Sequence, residues 1–291
     1  MYSGSSRALL ARITSRRRSR RGLHGDRRPV VREPPGPDEP FEPAACEGFV
    51  KDFAYTLGWQ AKEGWPILAG TVTGDIMGYF TPDALPVLSA LAKGVRGLRA
   101  LVRLRPTETM PNRAFACAAT SQGHMDDKTH TFTASSTFGL LGGHGLGWAI
   151  HGYDAEPLTK STFTDIGKAT GGHIGLFADF TSAAAAGTLP AFTFLEPSWD
   201  SAGKSRHPNY NVALGEQFIQ DVYEAVRGGP GWAQSLLVIT YDEHGGCYDH
   251  VPPPSDAVPP DNDTGEFGFD FTRFGTDRTS EDESRPCLSR R

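Results

Sequence analysis

Residues 236–254 read Leu-Leu-Val-Ile-Thr-Tyr-Asp-Glu-His-Gly-Gly-Cys-Tyr-Asp-His-Val-Pro-Pro-Pro. An apolar run delivers two carboxylates and an imidazole into a Gly-Gly turn, and a second Asp-His pair follows at 249–250. Adjacent carboxylates are costly to gather in a partly buried place unless a cation offsets their charge. Hard divalent cations prefer such oxygen ligands. Asp242 and Glu243 are therefore candidate ligands of a divalent metal cation whose identity the sequence leaves open. An ordinary acidic turn would explain the pair alone. It explains less well the flanking His244, the paired glycines and the second Asp-His.

A second constellation lies upstream, in Pro106–Arg113 and Ala119–His124. Thr109, Asn112 and Arg113 bring a hydroxyl, an amide and a guanidinium within five residues. They could supply a nucleophile and two donors to phosphate oxygens; a plain polar loop is the alternative. A third set is Phe194-Leu195-Glu196-Pro197 with His207-Pro208-Asn209-Tyr210, in a loop between strand and helix, where catalytic groups commonly sit. Glu196 could equally be a solvated charge at a strand end.

These groups need a scaffold, and the apolar periodicity supplies one. Spacing predicts helices over 83–93, 136–141 and 211–227, the last ended by Gly228-Gly229-Pro230. Strands are expected over 147–150, 189–195 and 235–240, the third as a continuous apolar run of the kind buried on both faces. Strand, long helix and strand in this order imply a parallel pair with a crossover. The fold class is α/β, and in open α/β sheets ligands collect beyond the carboxyl ends of strands, where Asp242 and Glu243 fall.

Composition bounds the rest. With 34 Gly and 22 Pro in 291 residues the chain is loop-rich, which suits an α/β enzyme better than a helical bundle. The net charge of −5 hides an Arg-rich start: residues 1–33 hold ten Arg against Asp26 and Glu33, a balance of +8 that leaves −13 for the remainder. Residues 1–40 read as an Arg/Pro-rich disordered leader, 41–275 as the catalytic core and 276–291 as a disordered charged tail. A solvated tail is the plain reading of the leader; nucleic-acid contact rests on it alone and is the weakest partner assignment. No apolar stretch follows Arg21, so no convincing secretory signal is expected; the chain as written reads as cytoplasmic, and localisation stays open. No apolar run reaches the roughly 18 residues of a membrane span, so no integral membrane segment is expected. The four cysteines show no CxxC spacing, which disfavours a disulfide framework or a thiolate zinc site and leaves one long-range disulfide open.

Taken in order, Thr109-Met110-Pro111-Asn112-Arg113, Phe194-Leu195-Glu196-Pro197, His207-Pro208-Asn209-Tyr210, Thr240–Gly246 and Asp249–Pro254 resemble a bacterial phosphoesterase family. That family includes the non-haemolytic-type phospholipases C and related acid phosphatases. The similarity covers 41–93 and 106–275. It implies an alkaline-phosphatase-like fold, a mixed sheet between helical layers, and a phosphate-ester substrate that could include phospholipid head groups. It further implies Thr109 as nucleophile, Asp242 and Glu243 as metal ligands, and Asn112, Arg113 and His124 facing the phosphate. His207 and His250 become candidates to protonate the leaving alcohol, because imidazole titrates near neutral pH. Glu196 and His244 would support these groups from behind. Members of the family are often exported.

The sequence departs from the family at three places. The family's early strand ending in a Glu-Asn metal-ligand pair has no counterpart before Phe41. Residues 94–105 are Arg/Leu/Val/Gly-rich, as in a basic amphipathic helix or a wrong reading frame, and the chain from Thr276 is charged where a strand is expected. The fold is accordingly expected to be incomplete at both termini. Two readings of function follow: a phospholipase C-type phosphodiester hydrolase, or a catalytically impaired relative or frameshifted gene fragment that is a weak enzyme or none.

Overall fold

The computed structural model describes residues 48–62, 64, 67, 69–94, 105–129, 131–199, 203–206, 211–243, 248 and 257–275. Its helices are α1 (Phe49–Lys62), α2 (Pro86–Gly94), α3 (Thr109–Ala118), α4 (Thr137–Gly143), α5 (Thr159–Thr162), α6 (Phe177–Ala186) and α7 (Val212–Gly228). Three strands, β1 (Trp148–Gly152), β2 (Ile174–Leu176) and β3 (Phe192–Leu195), form a sheet in the order β2-β1-β3. Both pairings are parallel, with Ile150 opposite Ile174 and Phe194. The α/β class holds, and every described strand pairing is parallel.

Alternation along β1 explains the layers. Trp148 and Ile150 face one side, with Phe132, Phe138 and Phe163 and with Ala114 and Cys117 of α3. Phe138 of α4 is the hub, its ring 5.4 Å from Trp148, 5.5 Å from Phe192 and 5.8 Å from Phe194. On the opposite side His151 meets Phe180 of α6, and Leu195 joins Phe180 with Val222 and Val226 of α7. All five residues of β1 are consequently buried, as expected of a central parallel strand covered on both faces.

Local chemistry fixes the helix starts. Ser136 caps α4 by accepting from the Gly139 amide, and Asp165 accepts from the Ser136 amide and hydroxyl. A β-carbon on Gly139 would collide with that Asp165 carboxylate. Asn211 caps α7. Glu216 of α7 accepts from the Val87 and Leu88 amides at the start of α2, satisfying two donors that a helix leaves open.

The expected helices at 83–93, 136–141 and 211–227 and the strands at 147–150 and 189–195 correspond to α2, α4, α7, β1 and β3. The run 235–240 is different: among the described residues it pairs with no strand. Leu237 packs with the Phe180 and Val222 cluster, but Leu236 is 88% and Val238 62% exposed. Leu237 and Ile239 are half-buried and the residues that alternate with them are exposed. β3's parallel partner is instead β1. Continuous apolarity reports an affinity for burial, not which neighbour provides it.

Four helices were not foreseen, the shortest being α5 (Thr159–Thr162). Phe49–Lys62 packs Phe49 and Phe53 against Ile76 and Tyr248, α6 follows β2 directly, and α3 occupies what read as a polar loop. Pro111 is the third residue of α3, within the first turn, where its missing N–H removes no hydrogen bond. The leader 1–40, residues 95–104 and the tail 276–291 lie outside the described residues, as does the Glu-Asn question before Phe41. Cys117 is a buried free thiol, its pKa pushed up to about 11 by burial; it takes no part in a disulfide.

Candidate active site

Helix α3 carries Thr109 at its first position, half-buried. One turn on, Arg113 donates to Glu196 at the carboxyl end of β3 and to Thr159 Oγ1 at 3.0 Å. Glu196 is wholly buried and also accepts from the Leu158 amide at 2.7 Å, the Thr159 amide at 2.9 Å and the Trp199 indole at 3.3 Å. The Glu196 amide continues the sheet ladder by donating to the His151 carbonyl. Residues four apart share one helix stripe, so Thr109 lies one turn before the Arg113–Glu196 tie, on the same stripe of α3.

The Asn112 side chain is 2% exposed and fully engaged. Its oxygen accepts from the Arg105 amide and its nitrogen donates to the Thr107 and Glu108 carbonyls. Donation to a phosphoryl oxygen would require giving up one of those bonds. Arg113 likewise points inward, between the rings of Phe194 and Trp199.

The loop after α3 turns through left-handed residues Ala119, Gln122 and Gly123. Gly123 packs so closely against the Thr264 carbonyl, 3.0 Å from an ideal β-carbon, that residues 261–269 hold the loop from outside. Glu266 accepts from the Met125 amide and meets His124 Nδ1 at 3.2 Å. His124 is thereby fixed against Glu266 and Thr129, about one-third exposed.

Asp127 joins the two constellations. Its carboxylate accepts from the Met110 amide at 2.8 Å, and its pKa is pushed up to about 7, chiefly by burial and then by the negative charges of Glu108, Glu243 and Asp242. The start of α3 and the acidic pair therefore share one electrostatic neighbourhood. Asp242 and Glu243 lie half-buried in a bend, the Glu243 amide donating to Asp242 Oδ1. Among the described residues no three His, Cys, Asp or Glu side chains converge tightly enough to hold a metal. The oxygens of Asp242 and Glu243 nevertheless suit a hard divalent cation, and the negative field that raises Asp127 is what such a cation would neutralise. His207, His244 and His250 lie outside the described residues.

Residues 47–278 match the Phosphoesterase family. The chain belongs to that family. Its curated relatives include the non-specific phospholipase C5 of Arabidopsis thaliana, 34% identical over 219 residues, covering 70% of this chain and 41% of the relative. The non-specific phospholipase C1 of the same plant is 34% identical over 216 residues, covering 70% of this chain and 39% of the relative. The non-hemolytic phospholipase C of Burkholderia pseudomallei is 39% identical over 71 residues, covering 23% of this chain and 9% of the relative. The chain thus spans about two fifths of the plant relatives it matches. Relatives from a plant as well as from bacteria mean that membership does not mark the chain as bacterial. No helix among the described residues of this phosphoesterase family member is long and apolar enough to cross a membrane.

Sequence reasoning overlooked Glu108 and Asp127. Glu108 precedes Thr109, and Asp127 follows Asp126 in the stretch His124-Met125-Asp126-Asp127-Lys128. The adjacent acids Asp126 and Asp127 carried the same double-carboxylate signal as Asp242 and Glu243, without an apolar run in front to draw notice.

Proposed function

We propose that this chain hydrolyses phosphate esters, with phospholipase C-type phosphodiesters, phospholipid head groups included, as its substrate class. The Thr109 oxygen attacks phosphorus, and the leaving alcohol departs with a proton from an imidazole acid, His207 or His250. Water then cleaves the threonine-bound phosphoryl group, and the acid recovers its proton. Asp242 and Glu243 would hold a divalent cation. When bound, it would offset charge on the phosphoryl oxygens and favour the threonine alkoxide.

The observation that carries this reading is the bond from the Met110 amide to an Asp127 carboxylate that feels Asp242 and Glu243. It supports the reading because Asp127 holds the backbone beside Thr109 and is itself raised by the charges of Asp242 and Glu243. His124 and Glu196 then serve as supports: Glu196 anchors α3 to β3, and His124 ties the following loop to Glu266. A second reading, an impaired relative, is favoured by the apolar run before Asp242, whose Leu236 and Val238 face solvent and leave the pair on a segment held from one side.

Cleavage of bis(p-nitrophenyl) phosphate against p-nitrophenyl phosphate, with and without a divalent cation, tests the proposal. Cation-dependent release from the diester is expected. A monoester preference would overturn the phospholipase C class, and no release from either would favour the impaired relative.

A further inference from the structure

Glu108 and Asp127 flank Thr109 in a way that ordinary helix capping does not require. Glu108 is the N-cap residue of α3 in extended conformation, yet its side chain does not cap its own helix. It reaches across instead, Oε2 accepting from the Asp127 amide at 2.8 Å. Asp127 returns the bond by accepting from the Met110 amide at 2.8 Å, so the cap comes from a residue 17 positions later. The Glu108 amide completes the connection by donating to the Met125 carbonyl at 3.1 Å. Three hydrogen bonds thus grip the residues immediately before and after Thr109.

A Ser or Asp at the N-cap would stabilise the helix start by itself. Such a local cap would leave the first turn free to tilt relative to the neighbouring loop. Here the orientation of that turn is set by loop 124–129, which has its own anchors. The Ser121 hydroxyl donates to the His124 carbonyl at 2.7 Å, Glu266 accepts from the Met125 amide at 3.0 Å, and the Glu266 amide donates to the Gly123 carbonyl. The orientation of the first turn of α3 is therefore tied to the 261–269 segment and not set within α3 alone.

We propose that Glu108 and Asp127 are positioning residues, a reciprocal clasp that aims the Thr109 hydroxyl at the phosphoryl group. The proposal rests on Thr109 being the nucleophile. Neither carboxylate exchanges a proton with the substrate: each acts through backbone amides. Misplacement of a reacting group by about 1 Å costs roughly a hundredfold in rate, so the clasp is read in turnover more than in substrate binding.

The test uses the full chain with excess divalent cation and bis(p-nitrophenyl) phosphate, in wild type, Thr109→Ala, Asp127→Ala, Asp127→Asn, Glu108→Ala and Glu108→Gln. Asp127→Ala and Glu108→Ala should lower kcat by roughly a hundredfold with KM nearly unchanged. Asn and Gln keep an acceptor oxygen and should restore most of the loss. An Asp127→Asn as slow as Asp127→Ala would overturn the clasp, because charge and not the hydrogen bond would then matter. Thr109→Ala with wild-type kcat would remove the nucleophile on which the proposal rests. An inactive Thr109→Ala beside a fully active Asp127→Ala would overturn the clasp alone. Hydrogen exchange at the Met110 amide gives a readout free of turnover: it should quicken in Asp127→Ala and remain slow in Asp127→Asn. Unchanged protection in Asp127→Ala would equally overturn the clasp.

Discussion

Replacing Arg113 with methionine separates a structural tie from a substrate contact. Glu196 is wholly buried, and Arg113 is its charged partner at the junction of α3 and β3. Methionine fills much of the same volume against Phe194 and Trp199 but leaves Glu196 ionised without a cation. Breaking a buried pair on one side costs about 3–5 kcal/mol. The remaining donors to Glu196, the Leu158 and Thr159 amides and the Trp199 indole, argue for the lower end. For a domain of this size each kcal/mol lowers Tm by about 2–4 °C, so a fall of about 10 °C is expected. Thermal melts followed by circular dichroism measure it. In Arg113→Met/Glu196→Gln, where the buried charge is removed as well, the loss should be smaller than the sum of the single losses by about 2 kcal/mol. A single variant with unchanged Tm and a sharply raised KM would refute the reasoning and return Arg113 to the phosphate.

Three further outcomes follow from particular contacts. In chelator, Asp127 should make the protein more stable at pH 5 than at pH 8. Its carboxyl binds a proton up to about 7 in the folded chain against 3.8 when free, so stability is full below the free value and is lost as pH rises through 7. Burial is partial, so about 2 kcal/mol is expected after screening; urea melts that show no loss, or the opposite slope, would contradict the burial of Asp127 beside the charges of Glu108, Glu243 and Asp242. Phe138→Ala, which empties the hub between α4 and the sheet, should cost about 3–5 kcal/mol; a denaturant midpoint close to wild type would mean that α4 does not cover β1. Replacing Leu236 and Val238 by threonine should leave stability within about 0.5 kcal/mol and reduce light scattering on heating, whereas strong destabilisation would show both side chains to be buried.

The scaffold was legible where period and punctuation agreed. Asn211 and Gly228-Gly229-Pro230 bracket the apolar stripe of α7, and Ser136 announces α4 by its cap. β1 and β3 were found because short apolar runs between glycine and proline leave little else. The run at 235–240 misled because apolarity is a statement about solvent, and pairing depends on neighbours distant in sequence. α3 was hidden by Pro111, which breaks a helix in its interior but not in its first turn. In the candidate site, Thr109, Asp242 and Glu243 are proposed from residue type and order. The Arg113–Glu196 and Asp127–Met110 contacts were not legible, since bonds spanning 83 and 17 residues leave no periodic trace.

The central claim is that Thr109 and the Asp242–Glu243 pair act on one phosphate ester. Its most direct measurement is the turnover of bis(p-nitrophenyl) phosphate by the 291-residue chain, by Thr109→Ala and by Asp242→Asn, before and after exhaustive chelation. The account predicts slow, cation-dependent release, below the roughly 10 per second common among enzymes, abolished in both variants and restored by adding the cation back to wild type. Release that survives chelation, or that proceeds unchanged in Thr109→Ala, would contradict it.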